Sequence, residues 1–333
     1  MHAKDLLLEL LKIPSYSKRE DAMADFILKF AKEAGHDAEM DGKNVIINAS
    51  NEFVVATHMD TIEREMAIKA RGNKIYGRGA SDAKASIASI LLFINKARKL
   101  NFTIAFLSDE EEDATGSKHF VEKYKAKEAI IMEPTSLKIC PYHAGSIEVY
   151  FEVESKESHG SFCSGAINKA IKMIEELHEM PYWENGKYFD SCLVVQEIKS
   201  VNPYYLNPEK CNGRIEARLL PGQNAKEIAK EMKKVMKKYG NAKFTEIWNG
   251  FEINEGNDII KKARKACEKA KIPFSLDGMP SWTDAIIFNE AGIKSIVFGP
   301  GNLKSSHTNE EYVEIEEIEK ASLFLHALNE IME

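Results

Sequence analysis

His58 and Asp60, in Thr57-His58-Met59-Asp60, lie early in the chain with Asp82 and the run Asp109-Glu110-Glu111, while His307, in Ser306-His307-Thr308, lies near the other end. Between them is Glu133, in Ile131-Met132-Glu133-Pro134-Thr135. Imidazoles and carboxylates without cysteine are the nitrogen and oxygen donors that suit zinc, cobalt or manganese at a hydrolytic centre. The two clusters read together as a split two-metal site.

Chemistry in open α/β sheets collects outside the carboxyl ends of strands, and the apolar runs put these residues there. Phe53 to Thr57 is a short β-rich run that delivers His58 and Asp60, Phe102 to Leu107 delivers Asp109, Glu110 and Glu111, and Ala129 to Met132 delivers Glu133. A fourth run, Ser295 to Phe298, ends in the turn signal Gly299-Pro300-Gly301, after which His307 follows on a loop. Each segment alone has an ordinary reading. A lone His-x-Asp is usually a hydrogen-bonded surface pair, an acidic run such as Asp109 to Asp113 is usually a solvated loop, Glu133 can merely end a strand, and His307 can be a plain loop histidine. Their conjunction at strand ends is what favours a metal centre.

The chain has 333 residues, enough for two domains, and its 44% hydrophobic content is ordinary for a globular protein. A net charge of -7, with no basic stripe interleaved with aromatics, argues against nucleic acid as a partner. Apolar residues from Met1 to Ile13 are interrupted by Lys4, Asp5, Glu9 and Lys12, which fits neither a signal peptide nor a membrane span, so a cytoplasmic location is expected. Five widely spaced cysteines (Cys140, Cys163, Cys192, Cys211, Cys267) form no Cys-x-x-Cys pair and are expected to be reduced and structural. Abundant lysine and glutamate beside only two glutamines, Gln196 and Gln223, is a composition compatible with a thermophile.

The organisation changes twice along the chain. Up to about Tyr142, strand-like runs alternate with helix-like stretches such as Ala83 to Lys99, as expected of an α/β sheet with helices on both faces. From Ser146 the pattern differs: Ile147 to Glu154 and Lys210 to Leu219 alternate at period two, and Ala166 to Met180 and Ala225 to Tyr239 are amphipathic helices. This predicts an inserted α+β, ferredoxin-like domain with a half-buried antiparallel sheet. A helix from about Asp258 to Ala270 and the strand ending at Phe298 then resume the first pattern. The expected division is a metal-binding domain over 1–143 and 252–333 and an inserted lid and dimerisation domain over 144–251.

On Thr57-His58-Met59-Asp60, Gly77-Arg78-Gly79-Ala80-Ser81-Asp82-Ala83-Lys84, Ser108-Asp109-Glu110-Glu111, Met132-Glu133-Pro134-Thr135 and His307-Thr308-Asn309-Glu310-Glu311, the chain resembles a dinuclear metallopeptidase and deacylase family. That family contains acetylornithine deacetylase, succinyl-diaminopimelate desuccinylase and the glutamate carboxypeptidases, and the resemblance spans nearly the whole length. Gly77-x-Gly79 is not a dinucleotide loop, because Asp82 occupies the place of the third glycine.

The resemblance implies two divalent ions, zinc or cobalt, with Asp82 bridging them, His58 and Glu133 on the first, and Glu111 and His307 on the second. It implies that Asp60 orients His58 and that Glu110 is the general base. Glu110, Glu111 and Glu112 leave the register ambiguous, and Gly116 at the family's spacing favours Glu110 as base and Glu111 as ligand. In the inserted domain, His159 resembles a histidine that crosses a dimer interface to stabilise the tetrahedral oxyanion, with an ordinary surface histidine as the alternative. Arg218 resembles an arginine that grips a substrate carboxylate, with a structural salt bridge as the alternative. The chain departs from the family at Tyr205-Leu206-Asn207-Pro208 and matches its Thr-Asp turn only in part at Pro280-Ser281-Trp282-Thr283-Asp284.

Within the family, the chain most resembles archaeal-type hydrolases of lysine and arginine biosynthesis, which release lysine or ornithine from an acidic amino-group carrier protein. The implied substrate is an N-acylated amino acid, with that carrier conjugate favoured. A small-molecule deacylase of the acetylornithine or succinyl-diaminopimelate type, or a metallo-carboxypeptidase or dipeptidase, is the alternative. A carrier would need a basic docking surface, for which Lys233-Lys234 with Lys237-Lys238, and Lys261-Lys262 through Lys271, are the candidates. A non-catalytic binding protein would be expected to lack Glu110 or a ligand, and none is missing.

Overall fold

The computed structural model describes residues 2–49, 51–202 and 204–333; Met1, Ser50 and Pro203 lie outside it. The chain divides into two compact units, one made of Met1–Pro141, Ile253–Met279 and Thr283–Glu333, the other of Tyr142–Glu252 with Pro280–Trp282.

The first unit is built on a mixed sheet. Four strands lie side by side in the order Thr103–Leu107, Phe53–His58, Glu128–Ile131, Lys294–Val297, all parallel, so their carboxyl ends share one edge. Asn44–Ile47 and Ala38–Asp41 add antiparallel beside Thr103–Leu107, and Ile139–His143 continues beyond Lys294–Val297. These central strands are buried along their length, which is why they read as continuous apolar runs rather than alternating ones. Helix Ile315–Ile331 packs against both Lys84–Ile94 and Asp258–Ala270. Every residue of Lys84–Ile94 is buried. The helix stops at Ile94, short of the expected Lys99, because Lys96, Arg98 and Lys99 cannot continue a segment enclosed on all sides.

A small antiparallel sheet, Tyr312–Glu314 with Lys74–Tyr76 and Lys69–Arg71, joins two distant parts of this unit. It holds together the bases of the loops that carry Asp82 and His307.

The second unit runs strand, helix, strand, strand, helix, strand: Gly145–Glu154, Ala166–His178, Cys192–Lys199, Lys210–Leu219, Ala225–Met236, Gly240–Trp248. Its antiparallel sheet has Lys210–Leu219 and Gly145–Glu154 in the middle, with Cys192–Lys199 and Gly240–Trp248 at the edges. This is the ferredoxin-like order. Ile147, Val149, Phe151 and Val153, alternating along one strand, pack with Met173 and Leu177 of one helix and Ile228, Met232 and Met236 of the other. Among the described residues, no helix is long and apolar enough to cross a membrane, and the five cysteines are free.

Candidate metal centre

One side of the site comes straight off the sheet. His58 closes Phe53–His58, and Glu133 follows the adjacent strand Glu128–Ile131. Met132 N–H donates to the Ala56 carbonyl at 2.7 Å, and Thr57 Oγ1 donates to the Met132 carbonyl at 2.9 Å, so the strand pairing runs to the last residue before each side chain. His58 Nε2 lies 3.1 Å from Asp82 Oδ1 and 3.7 Å from Glu133 Oε2.

The loop after Thr103–Leu107 is held by side chains rather than by a ladder. Asp60 accepts the backbone N–H of Glu110 on Oδ1 at 3.1 Å, and that of Glu111 on Oδ2 at 3.0 Å, where Ser17 Oγ also donates at 2.7 Å. Glu20 Oε1 accepts the Asp109 N–H at 2.9 Å, securing a residue whose φ of 63° is in the left-handed region. Asn44 Oδ1 accepts the Ser108 N–H at 3.1 Å and Asn44 Nδ2 donates to the Gly116 carbonyl at 2.9 Å. A Cβ at Gly116 would stand 2.4 Å from the Ser108 nitrogen, so this loop closes only on glycine.

The other side is assembled from loops. His307 Nε2 lies 2.8 Å from Glu111 Oε1 and 3.5 Å from Asp82 Oδ2. Asp82 therefore presents Oδ1 to His58 and Oδ2 to His307, one oxygen to each imidazole.

The electrostatics of this cluster are those of a cation site. Burial raises the Glu110 carboxyl well above the usual range, with Glu133 and Glu111 adding to the effect against the pull of His58. Glu133 is pushed up to about 7 by burial, against His58 and with Asp82 adding. Burial alone would lower the His307 imidazole, yet Glu111 and Asp82 hold it up at about 9. Like charges crowded out of water are what a divalent ion relieves. His58, Asp82 and Glu111 offer ligand atoms all within 4.8 Å of one another. His58 Nδ1, 3.4 Å from Asp60 Oδ1 but outside hydrogen-bond geometry, and Glu133 Oε1 are buried without a hydrogen-bond partner among the described residues. The donor set fits hard-to-borderline divalent metals bound through nitrogen and oxygen. Asp109, Glu112 and Asp113 also cluster, but Lys18 Nζ lies 2.7 Å from both Glu112 and Asp113 and already balances that charge.

His159 and Arg218 belong to the second unit. His159 is exposed, its Nδ1 accepts the Ser161 N–H at 3.3 Å, and its ring meets Tyr205 edge-on at 5.4 Å. Asn207 Nδ2 donates to the carbonyls of His159 at 3.2 Å and Phe162 at 2.6 Å, which gives the departure at Tyr205-Leu206-Asn207-Pro208 a definite task in shaping the His159 loop. Arg218 Nη2 pairs with Glu216 Oε1 at 2.7 Å, while Nη1 has no hydrogen-bond partner among the described residues. Sequence reading passed over Ser17, Glu20, Arg78 and Glu311, whose side chains hold the loops of Asp82, Asp109 to Glu111 and His307. It also noted Asp284 only as part of a turn; this acid is fully enclosed and pushed up to about 7 chiefly by burial, with Ser117 and His58 pulling it down. Arg78 and Glu311 at least stood beside Asp82 and His307 in the recognised segments.

Residues 54–330 match the family model described as peptidase family M20/M25/M40. The chain is 28% identical over 322 residues to a LysW-lysine/LysW-ornithine hydrolase of Saccharolobus islandicus, covering 95% of this chain and 92% of that protein. It is 25% identical to the hydrolase of the same name from Sulfurisphaera tokodaii, covering 98% and 95%. Among solved structures, an M20 family metallo-carboxypeptidase from Sulfolobus solfataricus superposes with a TM-score of 0.81 at 16% identity, covering 100% of this chain and 99% of that one. An aminopeptidase from Bacillus cereus does so with a TM-score of 0.79 at 20% identity, covering 99% and 98%. Sequence match and fold agree with the cluster of imidazoles and carboxylates at the strand ends: the chain belongs to peptidase family M20/M25/M40 and is a metal-dependent amide hydrolase of that family.

Proposed function

We propose that this protein hydrolyses the amide bond of an N-acylated amino acid at a dinuclear centre of zinc or cobalt, and that its substrate is lysine or ornithine joined to a small acidic carrier protein. The observation that carries the chemistry is the Asp82 carboxylate, which turns one oxygen to each of two histidines in a cluster that also encloses the carboxyl of Glu110. The substrate rests on the name shared by the relatives from Saccharolobus islandicus and Sulfurisphaera tokodaii.

In this reading His58 and Glu133 would hold one ion and Glu111 and His307 the other, with Asp82 shared between them. When bound, two divalent ions polarise the scissile carbonyl and lower the pKa of the attacking water. Glu110 takes the proton of that water and delivers it to the leaving amine, a task suited to a carboxylate not spent on coordination. Asp60 fixes the backbone of Glu110 and Glu111 and faces His58, setting base and ligands in one frame. His159 stabilises the oxyanion from a partner subunit in a homodimer, and the free Arg218 Nη1 takes the substrate carboxylate. The enzyme works in the cytoplasm.

The test is amine release, read by mass spectrometry, from carrier-linked lysine and ornithine beside acetylornithine, succinyl-diaminopimelate and simple dipeptides, each with a chelator control. Release from the carrier conjugates alone supports the reading. Preferential cleavage of a free acyl-amino acid makes the protein a small-molecule deacylase and removes the carrier from the account.

A further inference from the structure

Arg78 sits in the loop that ends at Asp82, and Glu311 in the loop that begins at His307, 233 residues apart. Both are buried, and they meet as an ion pair through Arg78 Nη1 and Glu311 Oε2. The rest of each side chain reaches into the other residue's loop. Arg78 Nη2 donates to the carbonyl of Thr308 at 3.1 Å and lies 3.5 Å from that of His307, while Nε donates to the Arg64 carbonyl at 2.9 Å. Arg64 Nη1 in turn donates to the His307 carbonyl at 3.2 Å. Glu311 Oε1 accepts the backbone N–H of Ser81 at 3.0 Å and of Asp82 at 3.2 Å.

The pair is thus a reciprocal strap. The arginine on the Asp82 loop holds the backbone of His307 and Thr308, and the glutamate on the His307 loop holds the backbone of Asp82. His307 needs such a hold, because its φ of 63° is unfavourable for a residue with a Cβ and persists only where neighbours enforce it. The segment before His307 also touches the Asp82 loop, at Gly301, where a Cβ would stand 2.5 Å from Ser81 Oγ. His58 lies within the strand ladder opposite Leu107, and Glu133 directly follows Met132, whose N–H is bonded to the Ala56 carbonyl of the neighbouring strand.

We infer that Arg78, paired with Glu311, is a positioning residue for one half of the metal centre: it presets His307 against Glu111 and Asp82 and so governs the affinity of that half, while Glu311, which holds the backbone of Asp82, bears on both halves. This rests on the reading that Glu111 and His307 hold one of two ions. Removing the guanidinium also leaves Glu311 buried without its counter-charge, so Arg78→Met destabilises the fold more than the double variant Arg78→Met/Glu311→Gln. Stability and metal affinity separate on that difference. The double variant regains stability but still lacks the strap on His307.

The experiment titrates chelator-stripped full-length protein with zinc by calorimetry, with bound metal counted by mass spectrometry and folding followed by thermal melts. The wild type takes up two ions. In Arg78→Met and in the double variant one ion binds as in the wild type and the other at least about tenfold more weakly. Arg78→Lys, which keeps the charge but loses the fork of donors, lies between and decides the matter if Arg78→Met does not fold. Two ions bound at unchanged affinity, or both weakened equally, overturns the strap. A wild type that takes up a single ion overturns the dinuclear reading beneath it, a result that does not depend on any variant.

Discussion

The two halves of the centre are built by different means. His58 is 1% exposed at the end of a paired strand, whereas the His307 side chain is 46% exposed on a left-handed loop residue. The first half inherits its geometry from a parallel ladder whose hydrogen bonds run up to the residues that precede His58 and Glu133. The second obtains it from side-chain straps: Asp60 and Glu20 on the Glu110 and Glu111 loop, Arg78 and Glu311 on the loops of Asp82 and His307. Strand ends are rigid whatever their sequence, but a loop must recruit buried polar groups to reach the same precision. The difference teaches that substitutions near the sheet should damage the whole centre or the fold, while substitutions in the straps should separate metal occupancy from stability.

The largest effect is expected where neither half is touched. Glu110→Gln keeps both ions and loses about 100-fold to 10,000-fold in kcat, the span of a positioned acid–base group. Metal analysis beside single-turnover kinetics checks this, and retained turnover moves the base to Glu112 or elsewhere. Next, His307→Ala should lose one ion and leave the melting temperature nearly unchanged, whereas His58→Ala should lose metal and stability together, because it opens a hole among fully enclosed residues. If both variants behave alike in melts and metal counts, the contrast between the halves is void.

Asp60→Asn comes third. An amide can accept only on its oxygen, so one of the N–H groups of Glu110 and Glu111 loses its partner. A drop of roughly 10-fold to 100-fold in kcat/KM is expected, with a near-normal far-ultraviolet spectrum, and full activity would show that the strap does not set the base.

A remote ion pair calibrates these effects. Burial alone would raise the Asp41 carboxyl, but Lys123 Nζ at 2.6 Å and His119 Nε2 at 3.1 Å outweigh it and hold it at about 2. A carboxyl depressed when folded stabilises fully above its unfolded value of 3.8 and loses that contribution as pH falls through about 2. Asp41→Asn should therefore lower stability by about 1 kcal/mol at neutral pH, with the gap to wild type closing between pH 4 and pH 2 in denaturant melts. A gap that stays constant over that window removes the ion pair as its cause.

The smallest effect concerns docking. Lys234 pairs with Glu231 at 2.6 Å and Lys238 with Glu176 at 2.7 Å, and Lys261, Lys262 and Lys269 are likewise paired, so neither basic helix is fully free to attract an acidic partner. Charge reversal at Lys233, Lys234, Lys237 and Lys238 should raise KM for a carrier conjugate several-fold and spare small amides. Equal effects on both substrates would end the docking idea.

The strand-end side chains were legible because buried parallel strands announce themselves as apolar runs, and the residue that follows each run is then conspicuous. The half-buried inner strands of the second unit were legible for the matching reason, a clean alternation along Gly145–Glu154 and Lys210–Leu219. Its edge strands were not. Cys192–Lys199 is exposed along most of its length, and Gly240–Trp248 is nowhere more than half-buried, with Asn241, Lys243 and Thr245 exposed, so neither carries a fully buried stripe to betray it. The straps were invisible for a different reason. Glu20 meets Asp109 across 89 residues and Arg78 meets Glu311 across 233, and no local pattern records a contact that exists only once the loops are folded against each other.

The most direct test of the account is anomalous diffraction from crystals of the cobalt-loaded protein. The account predicts two peaks flanking the Asp82 carboxylate, one against His58 and Glu133 and the other against Glu111 and His307. A single peak, or a second one placed at Asp109, Glu112 and Asp113 instead, would contradict it.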